Sequence, residues 1–338
     1  MGELAAILGL SSLRLTVSEK TFFRDADPWG FILFSRNVDN PDQIYRLCSD
    51  LRNAVGRDAL VFVDQEGGRV QRLKAPHWRP YPTGATYASL YNDDEEVGKR
   101  AVFLGHRLIA DDLRKVGITA DCAPVLDLPQ PGSDPIISDR ALGDRTDQII
   151  DLAHAAMSGL MQGGVAPVIK HIPGHGRATV DSHLSLPRID TSRELLEHTD
   201  FVPFRKLAEA PMAMTAHAVY TVVDDQPVTT SATALKDLIR DTIGFDGLLM
   251  SDDLDMKALT GDSLVSKTEA ALSAGCDIAL QCSGQLPDMI DVAKGCKPLT
   301  GKALERARIA ENSTLYMEDF DRVDAEAEFD DILSPSFV

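Results

Sequence analysis

Three stretches of this chain hold residue types that could do chemistry together. The first is Lys170-His171-Ile172-Pro173-Gly174-His175-Gly176-Arg177-Ala178-Thr179-Val180-Asp181-Ser182-His183, which follows the apolar run Val165–Ile169. It reads as a strand entering an irregular polar loop, the usual seat of catalytic side chains on a rigid scaffold. An imidazole with a pKa of about 6.5 is matched to proton transfer at neutral pH. A nearby carboxylate fixes its tautomer and stabilises its cation, and Asp181 and His183 are placed for that relation. Glycines on both sides of His175 give the middle of the stretch the look of a hinge, with His175 structural. The second stretch, Asp64-Gln65-Glu66-Gly67-Gly68-Arg69-Val70-Gln71-Arg72, sets two acids and two arginines after the buried run Leu60–Val63. Carboxylates and guanidinium groups together suit sugar hydroxyls, which both donate and accept; the plain alternative is a salt-bridged loop. The third is Ser251-Asp252-Asp253-Leu254. One carboxylate with one acid/base is the equipment of a retaining glycosidase. Successive strand residues face opposite ways, so only one aspartate readily enters a mouth, and periodicity leaves open which. His171, His175 and His183 also invite a metal, but Pro173, Gly174 and Gly176 break the helix on which i, i+4 ligands would share a face.

The elements that must position these groups are short apolar runs alternating with helical patterns. The runs are Ala6–Leu10, Phe31–Phe34, Ala59–Val63, Ile118–Leu126, Val165–Ile169, Ala213–Ala218, Leu248–Met250 and Ile278–Leu280. Helices are predicted over Pro41–Val55, Asp94–Val116, Thr146–Gln162, Ser192–Ala208, Ala232–Ile243 and Ser263–Ala274, with Asp39 or Asn40, Thr146, Ser192 and Ser231 as N-caps. Eight runs alternating with helices predict a single-domain α/β fold, a (β/α)₈ TIM-type barrel, over residues 1–317. No G-x-G-x-x-G opens a helix after an early strand, which argues against a dinucleotide fold. In a barrel the strand ends converge on one mouth. Asp64, Asp127, Lys170, His171, His217, Asp252 and Asp253 all fall at strand ends here, and that coincidence is the main residue-level argument for a site.

Lys plus Arg number 34 and Asp plus Glu 52, for a formal charge of −18, so nucleic acid and anionic membrane are excluded as partners. Residues 318–338 carry eight acids against Arg322 alone and read as a solvated or loosely docked acidic tail. The five cysteines are widely spaced; Cys122, Cys276 and Cys282 suit small buried hydrophobes, and reduced thiols point to the cytoplasm. The apolar run Leu4–Leu10 lacks a cationic flank and reads as a first barrel strand rather than a signal peptide. No run approaches the roughly 18 apolar residues of a membrane span.

Taken together, FILFSRN (31–37), VDQEGGRVQR (63–72), APVLDL (123–128), KHIPGHGRATVDSH (170–183), MTAHAVY (214–220), GFDGLLMSDDLDM (244–256) and AGCDIALQC (274–282) resemble the family-three glycoside hydrolases. The resemblance is to the bacterial β-N-acetylhexosaminidases of peptidoglycan recycling. It implies Asp252 as nucleophile, His183 as general acid/base and Asp181 as the group that orients it. Asp64, Arg72, Lys170 and His171 would bind the N-acetylglucosamine hydroxyls, as would Arg140, with Arg145 a nearby competitor. It implies a retaining exo-β-N-acetylglucosaminidase acting on 1,6-anhydro-muropeptides, with no metal or organic cofactor; a monomer is the expectation. Ile172 replaces the family's usual phenylalanine, and Asp255 stands where serine is common, adding charge beside the nucleophile. The alternatives are a β-glucosidase-like or metal-dependent hydrolase on the same barrel, or a sugar-binding barrel without turnover.

Overall fold

The computed structural model describes residues 2–182, 184–259, 261 and 263–334. Eight parallel strands close a barrel: β1 (Leu4–Leu8), β2 (Pro28–Leu33), β3 (Leu60–Val63), β4 (Ala120–Asp121), β5 (Ala166–Ile172), β6 (Met212–Thr215), β7 (Leu248–Asp253) and β8 (Ile278–Gln281). Each strand pairs with its sequence neighbours, and β1 meets β8 at Ala6↔Ala279, Ile7↔Leu280 and Leu8↔Gln281 to complete the ring. Each predicted apolar run overlaps one of these strands. The first is β1, a barrel strand as expected. The long run Ile118–Leu126 yields only two residues of regular strand, then continues extended with one bridge from Val125 to Lys170.

Side chains alternate along the strands between two buried layers. Ile7, Leu60, Phe62, Ala120, Ala166, Val168, Met212, Met214, Leu248, Met250, Ile278 and Leu280 form one cluster contributed by successive strands around the ring, the filled barrel interior. Ala6, Leu8, Val61, Val63, Ile169, Ala213, Leu249 and Ala279 belong to the outer layer under the helices. This period of two aims the residues that follow. Asp64 continues the inward series of Leu60 and Phe62, Lys170 that of Ala166 and Val168, and Asp252 that of Leu248 and Met250. The register of β5 against β6 slips between Lys170 and Ile172, which re-aims His171.

Helices cover the barrel. Pro41–Val55 starts with Pro at its first turn and Asn40 as cap, the Asn40 side chain accepting the Gln43 N–H at 3.0 Å. Thr146 proves to be the first helical residue rather than a cap, which falls at Arg145. The helix expected across Ser192–Ala208 is two helices, Arg193–His198 and Phe201–Lys206. The break falls at Thr199-Asp200, where the buried Asp200 carboxylate accepts Arg177 Nε at 2.8 Å and is thereby committed to the loop after β5.

The reading of residues 318–338 as a solvated or loosely docked tail is corrected over the described part. Arg322–Leu333 is a helix packed on Glu95–Lys115, with Ala325 and Phe329 buried between them. Its acids find cations: Glu328 takes both Arg100 Nε (2.6 Å) and Nη2 (2.7 Å), and Asp330 pairs with Arg79. Arg322 bonds Asp112 at 2.7 Å. Like charges repel in isolation, but here the opposing surface supplies partners and a pocket for Phe329.

Candidate active site

One cleft at the C-terminal mouth of the barrel, with a cavity volume of about 190 Å³, is lined by Asp64, Arg72, Arg140, Lys170, His171 and Asp252, together with Phe34, Glu66, Arg69 and Asp253. Six of the eight expected site residues therefore face one space. Asp181 lies in the loop after β5, half-buried, its carbonyl accepting the N–H of Leu184 (2.9 Å) and Ser185 (3.0 Å). Next to it Ser182 is buried, and its carbonyl accepts the Ala258 N–H at 3.2 Å, stitching this loop to the segment that follows Asp252. His183 lies outside the described residues.

The floor of the cleft is an ion network. Lys170, 2% exposed, places its Nζ 2.9 Å from Asp64 Oδ1 and 2.7 Å from Glu66 Oε1. Arg72 Nη2 is 2.9 Å from Asp64 Oδ2, and Arg140 forks onto Glu66 through Nε (2.8 Å) and Nη2 (2.7 Å). Burial alone would raise the Asp64 carboxyl, but Lys170 and Arg72 hold it well below the ordinary carboxylate range. Burial likewise opposes the Lys170 charge, and Asp64 and Glu66 outweigh it, keeping the ammonium well above the usual lysine range. Three cations thus stand beside two carboxylates, offering fixed donors to a ligand rich in hydroxyls. The guanidinium of Arg72 also lies over the Phe34 ring at 5.4 Å, with Arg36 over the same ring at 4.8 Å. Arg145 pairs with Asp147 at 3.4 Å and bonds Asn92 on the exterior, so the arginine facing the cleft is Arg140.

His171 is oriented from behind. The Asp127 carboxylate, fully buried, accepts His171 Nδ1 at 2.7 Å through Oδ2, and the backbone N–H of His171 (3.1 Å) and His175 (2.7 Å) through Oδ1. Nδ1 therefore carries the proton and leaves Nε2 for a ligand. Burial of Asp127 is outweighed by His171, and its carboxyl sits below the ordinary range. His175 is buried and pushed down to about 4 by that burial and by His171, which favours its neutral form. Around it the backbone is held by several contacts. Gly174 donates its N–H to His171 O at 2.7 Å and its carbonyl accepts the Tyr220 hydroxyl. A Cβ on Gly176 would lie 1.9 Å from Leu128 O, so only glycine lets the two backbones approach this closely.

The two aspartates at the end of β7 separate by their partners. Asp253 Oδ1 accepts the N–H of Asp255 (3.2 Å) and Cys282 (3.0 Å), tying together the segments that follow β7 and β8. Its pKa is pushed up to about 7 by burial, then by Asp255 and Asp252. The charge of Asp255 thus bears on Asp253, while its own carboxylate accepts Gln281 Nε2 at 2.8 Å. Asp252 follows the inward series and accepts the Asp253 N–H at 2.8 Å. His217, a strand-end candidate, is buried between Thr229 Oγ1 (2.7 Å) and Asp253 O (3.0 Å) and props β7. Cys282 lines the cleft instead of being fully buried, and all five cysteines are free. Among the described residues no group of three His, Cys, Asp or Glu side chains is arranged to hold a metal ion.

A closed barrel whose mouth gathers carboxylates, arginines, a lysine and an oriented histidine suits a ligand rich in hydroxyls. The chain matches the N-terminal domain of glycosyl hydrolase family 3 over residues 8–312 and belongs to that family. Proteins named beta-hexosaminidase are similar to it throughout: one from Alkalilimnicola ehrlichii is 38% identical, with 82% of this chain and 80% of that protein aligned. One from Pseudomonas aeruginosa is 35% identical over 91% and 89%. The crystal structure of native NagZ from Neisseria gonorrhoeae superposes with a TM-score of 0.87 at 30% identity, covering 99% of both chains. The same neighbour has been solved in complex with N-trifluoroacetyl-D-glucosamine. The chain is therefore an enzyme, a glycoside hydrolase with the (β/α)₈ fold.

Sequence reasoning included Glu66 in the stretch suited to sugar hydroxyls and Asp127 among the strand-end groups, but gave neither a role of its own. Glu66 carried a signal: it stands two residues after Asp64, on the same face of an extended chain. Asp127 gave none beyond its place at a strand end.

Proposed function

We propose that this hydrolase is a retaining exo-β-N-acetylglucosaminidase that releases terminal N-acetylglucosamine from 1,6-anhydro-muropeptides during cell-wall recycling in the cytoplasm. The carrying observation is that Asp252, on the inward series of β7, shares one cleft with Asp64, Arg72, Arg140, Lys170 and His171. The beta-hexosaminidase relatives and the N-acyl glucosamine bound by the Neisseria gonorrhoeae protein support the sugar assigned.

The donors on Lys170, Arg72 and Arg140, with the acceptors on Asp64, fix the hydroxyls and so the position of the anomeric carbon over Asp252. A carboxylate oxygen of Asp252 attacks that carbon, and His183, polarised by Asp181, protonates the departing glycosidic oxygen. His183 then takes a proton from water, which attacks the glycosyl ester and frees Asp252; two inversions leave the configuration retained.

The test is incubation with a 5-fluoro-N-acetylglucosaminyl fluoride, followed by peptide mass spectrometry. The expected adduct is on Asp252, and Asp252→Ala is expected to lower turnover of an aryl N-acetylglucosaminide at least about 10³-fold. A label on another residue, or normal turnover by Asp252→Ala, would refute the assignment.

A further inference from the structure

We infer that Glu66 is a positioning residue for sugar binding: it fixes the donors of Lys170 and Arg140 and, with the Arg69–Asp139 pair, clasps the loop carrying Arg140 over the cleft. The inference rests on the reading of that cleft as the sugar site.

Arg140 needs such a holder. It sits at the end of a single helical turn, Ser138–Arg140, in the long connection between β4 and the helix Thr146–Gln162, so no barrel strand fixes it. What fixes it is the hairpin Gln65–Gly67/Val70–Gln71 that follows β3. The hairpin offers an acid and a base, Glu66 and Arg69, and the loop answers with an acid and a base, Asp139 and Arg140. They pair crosswise. Arg69 Nε lies 2.8 Å from Asp139 Oδ1, and Arg69 Nη2 bonds Ile136 O at 2.6 Å.

The two pairs differ in weight. Arg69 and Asp139 are 44% and 38% exposed, so solvent screens their attraction. Glu66 is 6% exposed, Arg140 11% and Lys170 2%, and removing one member of so buried a set leaves the others uncompensated. Glu66 also decides which protons remain for a ligand. Its fork occupies the Nε and Nη2 edge of Arg140, while Arg140 Nη1 bonds Ile136 O at 3.2 Å. Only the outer N–H bonds of Arg140 are left to point elsewhere. Lys170 donates a proton to Asp64 and is held against Glu66 as an ion pair at 2.7 Å. One carboxylate thus orients the guanidinium of Arg140 and holds the ammonium of Lys170 beside it, an ordering cost that would otherwise fall on binding.

The test is steady-state kinetics on an aryl N-acetylglucosaminide with the wild type, Glu66→Gln, Arg140→Ala and the double variant. Glu66→Gln should raise KM about tenfold while kcat changes less than about threefold. Because Glu66 acts through Arg140 as well as Lys170, the double variant should raise KM by clearly less than the product of the two single effects. An unchanged KM in Glu66→Gln, or effects that multiply in the double variant, would overturn the proposal. Should Glu66→Gln melt too low to assay, the swap decides. Arg69→Asp and Asp139→Arg should each raise KM, and Arg69→Asp/Asp139→Arg should restore it to within about twofold; equal values in all of them would overturn the clasp. Absence of turnover by the wild type would instead sink the sugar-site reading, and the positioning role with it.

Discussion

Asp121 is fully buried beside the ion network, with Oδ1 accepting the Gln65 N–H at 2.9 Å and Oδ2 without a hydrogen-bond partner among the described residues. Burial is the main force on it; the Gln65 N–H and Lys170 pull its pKa down, Asp64 and Glu66 push it up, and the balance is about 8. An aspartate in the unfolded chain titrates near 3.9. Between about pH 4 and 8 the folded chain therefore keeps a proton that the unfolded chain has released, so stability falls as pH rises through that window and levels off above it. Asp121→Asn preserves the acceptor for Gln65 and removes the titration. Urea unfolding should find the variant gaining on the wild type from pH 4 to 8, by at least about 1 kcal/mol at the upper end. Parallel stability curves would show that Asp121 is ionised throughout.

At the scale of elements, the helix Arg322–Leu333 does most to change the picture drawn from sequence. Phe329 is its anchor, fully buried, with the Arg79 guanidinium 5.1 Å above its ring. Phe329→Ala should cost about 3 kcal/mol in thermal or urea unfolding and open residues 322–334 to proteases, while a loss under about 1 kcal/mol would mean the helix docks by charge alone. The eight strands were legible because each is a short apolar run, and the alternation that fills the barrel also aims Asp64, Lys170 and Asp252 inward. The docked helix was hidden because its acids dominate its composition, while the cations answering them, Arg79 and Arg100, lie more than 200 residues earlier. The close packing at Gly176 was hidden for a related reason. Two glycines permit many backbone paths, and only the fold brings the backbone of Leu128 against Gly176. Local pattern reports which face a residue shows; it does not report what the chain later places against that face.

For the molecule as a whole, the charge of −18 surrounds a cleft whose own floor holds three cations. That separation favours a neutral sugar at the mouth and repels polyanions from the exterior. A labelled duplex DNA should show no anisotropy change with this protein even at low ionic strength; micromolar binding would mean that the site's cations project farther than the cleft allows. The ring of strands has a further consequence, for the making of the protein. Its closure joins Leu4–Leu8 to Ile278–Gln281, nearly the first strand translated to the last. At about 5–20 residues per second, roughly 14–55 s separate the two at the ribosome. Throughout that interval the edge of β1 that will meet β8 lacks its partner, and the inward side chains of the early strands lack the layer that will cover them. The exposed strand edge is thus closed only when β8 emerges and docks.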